Sequence, residues 1–126
     1  MAKGRGGAVV TIVVLCQLVM VLQCELALAA RYVVGGSSGW KYGVMGWENG
    51  KQFKAGDVLV FNYEHGKHNV VAVNKNGYDS CKTLPNDAKV HTSGHDNITL
   101  VRGQNSFICN FPSHCGMGMK IHIVAS

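Results

Sequence analysis

An all-β fold is what this sequence predicts, a Greek-key β-sandwich of about seven to eight short strands with one minor helical turn. Three observations carry that expectation. Short runs rich in β-branched and aromatic residues recur along the chain, glycine and asparagine turn signals separate them, and no stretch beyond residue 30 sustains an apolar period of 3.6. Sixteen glycines in 126 residues supply enough turn positions for that many strands.

The first 29 residues stand apart from this pattern. Lys3 and Arg5 precede an apolar run from Ala8 to Leu22, broken only by Thr11 and Gln17, and Ala27-Leu28-Ala29 follows as a small-residue cleavage signal. Residues 1–29 therefore read as a cleaved secretory signal peptide and residues 30–126 as one domain, with Ala30 a second candidate for the cleavage position. A membrane-spanning helix needs about 20 apolar residues, and Gln17, Gln23 and Glu25 interrupt this run too early.

Within the domain the elements follow in order. Arg31-Tyr32-Val33-Val34 reads as a strand closed by Gly35-Gly36-Ser37-Ser38-Gly39, and Trp40 to Gly50 as a loop holding one short strand. Asp57 to Tyr63 and Asn69 to Asn74 are strands joined by the hairpin-length Glu64-His65-Gly66-Lys67-His68. Asn76-Gly77 signals a turn, and Tyr78 to Leu84, ending at Pro85, reads as a short helical turn around Cys81. Lys89 to Thr92 and Ile98 to Val101 are strands separated by Ser93-Gly94-His95-Asp96, and Gln104 to Asn110 and Lys120 to Ala125 complete the set.

Charge narrows the partners. Without Lys3, Arg5 and Glu25, the twelve basic and seven acidic residues become ten and six, and the ten are scattered rather than clustered. A scattered positive surface on a secreted chain argues against nucleic acid and allows weak attraction to anionic extracellular polymers. Cysteine usage says more. Cys16 and Cys24 fall in the leader, leaving Cys81, Cys109 and Cys115, an odd number in a secreted chain. Any one bridge leaves one thiol free: if Cys109 binds a metal the bridge is Cys81 to Cys115, while Cys109 to Cys115 without a metal stays open.

The stretch from Cys109 to Met119 carries the chemistry. Cys109, His114 and Met119 are each separated by four residues, between the apolar Phe107-Ile108 and Ile121-His122-Ile123. A thiolate, two imidazoles and a weak thioether form the ligand set of a blue-copper electron-transfer site, so a second histidine must come from elsewhere. His68 supplies it, because alternate loops of a Greek-key sandwich gather at one end. Asn69, beside His68, is placed to tie the two ligand loops together by hydrogen bonding near the sulfur. Met117 competes with Met119 for the axial role on spacing alone.

His68-Asn69-Val70-Val71, Tyr78-Asp79-Ser80-Cys81 and the run Phe107 to Ile121 together resemble the phytocyanins, specifically the plantacyanin (basic blue protein) subfamily. The resemblance extends over Tyr32-Val33-Val34-Gly35-Gly36, Gly39-Trp40 and Phe53-Lys54-Ala55-Gly56-Asp57. It implies a cupredoxin-like sandwich, one type 1 copper held by His68, Cys109, His114 and Met119, and a disulfide between Cys81 and Cys115. It also implies a secreted protein of the extracellular matrix or cell wall (apoplast). Methionine at 119, where stellacyanin-like relatives carry glutamine, and no Pro/Ser-rich hydrophobic tail before Ser126 point to the plantacyanin branch and to no membrane anchor.

Other residues read more plainly. His65, His91, His95 and His122 are surface or strand-face histidines, His65 alone being near enough to influence the site. Cys109 with His114 lacks the orienting acid and oxyanion motif of a thiol enzyme, so no catalysis is expected. Asn97-Ile98-Thr99 matches the acceptor pattern for N-glycosylation. The expected function is single-electron transfer by Cu(I)/Cu(II) cycling in a monomer, toward a redox partner the sequence does not name, with His114 as the exposed edge. Two alternatives are an extracellular-matrix signalling or guidance protein using the copper fold as a scaffold, and a structural zinc module.

Overall fold

The computed structural model describes residues 11–17 and 29–126. Most of the expected signal peptide, residues 1–10 and 18–28, lies outside the described residues; residues 11–17 form an exposed helix. Among the described residues no helix is long and apolar enough to cross a membrane.

Seven strands among the described residues form two sheets. β1 (Arg31–Val33), β2 (Val58–Asn62) and β5 (His95–Thr99) make one, in the order β1-β2-β5. β3 (Val70–Val73), β4 (Val90–His91), β6 (Gly103–Ile108) and β7 (Lys120–Ala125) make the other, in the order β4-β3-β6-β7. All pairings between these strands are antiparallel except β1 with β2, where Arg31 pairs with Val58.

The period of two decides which residues fill the sandwich. Leu59 and Phe61 of β2, Val70 of β3, Phe107 of β6 and Ile121 and Ile123 of β7 meet in one core around Trp40. Trp40 stands edge-on to Phe61, with ring centroids 5.0 Å apart, and its indole N–H donates to the Asn69 carbonyl at 2.9 Å. The alternate residues of the second sheet face outward. There Val71, Val73 and Ile108 form a smaller cluster with Cys115, which Tyr78, Cys81 and Ala88 cover.

Several elements depart from the sequence expectation, each for a local reason. Residues 40–50 contain no strand: their backbone donors serve short turns such as Val44 to Lys41 and Trp47 to Val44, and Gly43, Gly46 and Gly50 all have positive φ. The link over residues 64–68 is no hairpin, because β2 and β3 belong to different sheets and the chain crosses between them. The helix is Lys75–Ser80, not 78–84, and it absorbs the Asn76-Gly77 turn. Asn74 caps it, its side-chain oxygen accepting from the Gly77 N–H at 2.8 Å, and Cys81 ends it in the left-handed region at φ 55°. β5 starts at His95, inside the expected separator, and stops at Thr99, since the register pairs Asn62 with His95 and Val58 with Thr99. Leu100 then turns inward, its N–H donating to the Asp57 carbonyl at 2.8 Å.

Candidate metal centre

The four expected donors arrive at one end of the sandwich on two connections. Cys109 follows β6 directly and is fully buried, while His68 stands two residues before β3 and is half-buried. Between β6 and β7 the chain turns at Ser113, whose φ of 69° is rare for a residue other than glycine. His114 follows and opens the 3-10 helix Cys115–Met117. Four backbone bonds of 3.1 Å hold the loop to itself: His114 N–H to Phe111, Met117 N–H and Met119 N–H to His114, and Cys109 N–H to Met119. The four-residue spacing thus lies on one self-bonded frame.

The donor atoms converge. His68 Nδ1 lies 3.0 Å from His114 Nδ1, which lies 3.4 Å from Cys109 Sγ, and one such atom from each residue lies within 4.8 Å of the others. Two neutral imidazole nitrogens beside a thiolate are a donor set that suits a soft cation. Burial, then the neighbouring His114, pushes the His68 imidazole below its ordinary value against the opposing pull of Glu64. His68 therefore stays neutral, with a lone pair available, at neutral pH.

The two methionines part company. Met119 is fully buried in the core, whereas Met117 is 55% exposed and offers only its carbonyl, which accepts from the Gly43 N–H at 3.1 Å. Of the two methionines that spacing leaves open, Met119 is the buried one. Gly118 lets the loop approach this closely: its φ is 84°, and a Cβ there would stand 3.2 Å from Gly43 Cα. Cys81 and Cys115 are bridged, with Cα atoms 5.6 Å apart, and Cys109 is a free thiol. The bridge fixes the residue beside His114.

Asn69 ties the two connections together, as expected, through a partner the sequence did not reveal. Its amide donates to the Asn110 side-chain oxygen at 2.6 Å, and its own oxygen accepts the Asn110 backbone N–H at 3.0 Å. Asn110 also donates to Thr83 Oγ1 at 3.0 Å, reaching the Cys81 side. Tyr42 is the larger omission. Its hydroxyl is 2.8 Å from His114 Nε2, and its ring stands edge-on to both imidazoles, at 5.4 Å from His68 and 4.8 Å from His114. An aromatic residue in an irregular loop carries no sequence signal for such a role.

The electrostatic surroundings are uneven. Behind His68, the Tyr63 hydroxyl donates to the Asp96 carboxylate, and burial followed by that bond pushes the phenol up to about 12. In front, Tyr42, Glu64, Gly66, Lys67, Phe111 and the two histidines line a shallow depression open to solvent. The sulfur donors are thus buried and the imidazole edges face outward. His65 and His95 are exposed and His91 and His122 half-buried; none belongs to this cluster, although His65 forms a β-bridge with His68. Asn97 is exposed on β5, its side-chain oxygen accepting from Arg31 at 3.3 Å.

Comparison with known proteins gives one answer. The Plastocyanin-like domain family matches residues 39–119, from the glycine before Trp40 to Met119. The chain is 51% identical to the basic blue protein of Arabidopsis thaliana over 99% of each chain, and 48% identical to the chemocyanin of Lilium longiflorum over the whole of both. Its structure resembles the cucumber basic protein, a blue copper protein, with a TM-score of 0.74 and 55% identity over 76% of this chain and 99% of that one. The chain belongs to the plastocyanin-like family, and within it to the phytocyanins and their basic blue protein, or plantacyanin, branch.

Proposed function

We propose that this chain is a secreted type 1 (blue) copper protein that carries single electrons, with His68, Cys109 and His114 as the strong ligands and Met119 as the weak axial one. The observation that carries the reading is the convergence of one thiol and two imidazole nitrogens within 4.8 Å, the one such cluster among the described residues. A fully buried methionine on the same self-bonded loop completes the donor set expected of copper rather than zinc. Bound copper would supply a one-electron Cu(I)/Cu(II) couple.

The chain's own residues suit that task. Cys109 is buried out of reach of a substrate, which favours a carrier over a thiol enzyme. The loop bonds, the Cys81–Cys115 bridge and the Asn69–Asn110 pair hold the donors in place, so the protein need move little on a change of charge. His114 presents its outer edge to the open depression and is the exit for an electron. The leader at residues 1–29 directs export to the cell wall, and Asn97, exposed on β5, can accept a glycan on the way. A redox partner would dock at the depression, and the basic surface would hold the protein among acidic wall polymers.

Absorption and EPR spectra of the natively purified protein test this. An intense blue thiolate-to-copper band with narrow copper hyperfine splitting is expected, and a colourless protein with tetragonal EPR parameters would sink the proposal. Replacement of Met119 by glutamine should keep the colour and lower the reduction potential.

A further inference from the structure

A buried carboxylate at the other end of β2 has no part in the metal centre. Asp57 is 1% exposed, yet neither of its oxygens meets a cationic side chain; the ion pair among the described residues is Lys75 with Asp79. One oxygen accepts the Ala30 backbone N–H at 2.9 Å and the other the Lys54 backbone N–H at 2.9 Å. Two donors on two acceptors call for a carboxylate, because an amide would turn an NH2 group toward one of them. A buried charge without a counter-charge is held by hydrogen bonds alone.

The counter-charge is one hydrolysis away. Water added across the Ala29–Ala30 peptide bond leaves a carboxylate on Ala29 and converts the Ala30 nitrogen to an ammonium, already 2.9 Å from Asp57. Ala29 is exposed and precedes β1, which begins at Arg31, so the cut disturbs no strand. The Ala30 carbonyl keeps its place, accepting from the Val58 N–H at 2.8 Å. Cleavage one residue later would instead remove the donor and leave that oxygen of Asp57 unpaired.

We propose that the mature chain begins at Ala30 and that its α-ammonium is the counter-ion of Asp57, so that removal of the leader completes the fold electrostatically. The inference rests on the secretory reading of residues 1–29 and is independent of copper. It also assigns the cleavage position that the sequence leaves between Ala29 and Ala30.

The test starts from the full chain exported by a plant or yeast secretory host, with the N-terminus read from the intact mass. The secreted protein should begin at Ala30, and its α-amino group should titrate at least one unit above the ordinary value of about 8. A second form, with Gly-Ser inserted before Ala30 and its start verified by mass, keeps the backbone N–H but displaces the ammonium. At pH 7 it should fold with an equilibrium constant at least tenfold smaller. The raised folded-state pKa sets the sign: the difference is fully present below about pH 8 and closes as pH rises through the folded value. A secreted chain starting at Arg31, an ordinary α-amino pKa, or equal stability of the two forms would overturn the inference. A chain retained with its leader intact would overturn the secretory reading along with it.

Discussion

Residues 109–119 and residues 40–50 are equally long, both lack strands, and they pack on one another: Gly43 donates to the Met117 carbonyl and Met45 to the Gly118 carbonyl. Their construction differs. The first is closed by its own cross-loop bonds, stapled at Cys115 and buried at Cys109 and Met119. The second is a chain of local turns on glycines of positive φ, secured by Trp40 and Val44, with Tyr42 and Met45 exposed. One stretch carries the proposed donors Cys109, His114 and Met119 and the other packs against it, so damage to the first should remove the chemistry while damage to the second should only adjust it.

The harshest test of that division is Cys109→Ser. The hydroxyl keeps the shape but removes the thiolate, so the blue band should vanish completely, while a buried hydroxyl in place of the thiol costs about 1–3 kcal/mol in urea unfolding of the metal-free protein. Retention of the band would show that the donors do not reside in this loop. Removing the staple comes next. Cys81→Ala with Cys115→Ala opens a loop of 34 residues' separation, and metal-free stability should fall by about 3–4 kcal/mol. Residues 40–50 contain no cysteine and offer no equivalent.

That contrast also explains what could be read from the sequence. Candidate donors announce themselves, because sulfur and imidazole at fixed spacing have few other uses, and the cluster of His68, Cys109 and His114 was legible for that reason. The strands were legible too, to within a residue or two at most ends, through runs such as residues 58–62 and 120–125. Tyr42 and Asn110 were not, since each acts only through contacts with residues far away in sequence. The helix was misplaced because Asn76-Gly77 is a turn signal that Asn74 overrides by capping Gly77. Residues 40–50 were legible as loop, and only the short strand expected within them is absent, as Trp40, Val44 and Trp47 suit a strand equally well.

A middle-sized effect belongs to the joint between the two ligand connections. Asn69→Ala leaves the Asn110 N–H and side-chain oxygen without their partners, at a cost of about 1–3 kcal/mol. The copper-loaded variant should remain blue and lose copper to a chelator faster than the parent; an unchanged rate would mean that the loop's own bonds suffice.

Acid should act more gently. Burial pushes His68, His91 and His122 below the ordinary imidazole value. The unfolded chain then binds more protons than the folded one, so stability of the metal-free protein should fall as pH drops from about 7 through 6.5 and level off below the folded values. Urea midpoints across that range measure it, and His122→Gln should flatten the slope. A midpoint that rises on acidification would contradict the assigned direction.

Tyr42→Phe should have the smallest effect, and it asks most directly what residues 40–50 contribute. The ring contacts to His68 and His114 survive and only the bond to His114 Nε2 is lost, an exposed interaction worth about 0.5–1 kcal/mol. Colour and fold should persist. With copper held at Nδ1 of His114, Nε2 would carry the proton and the Tyr42 hydroxyl would accept it. Exchange of that Nε2–H with solvent, followed by NMR, should therefore accelerate severalfold in Tyr42→Phe and further in Tyr42→Ala, which loses the ring as well. If Phe leaves the rate unchanged and Ala raises it, the stretch only covers the imidazole; if Phe alone raises it, the hydroxyl holds the outer edge of the ring that the ligand loop positions from within.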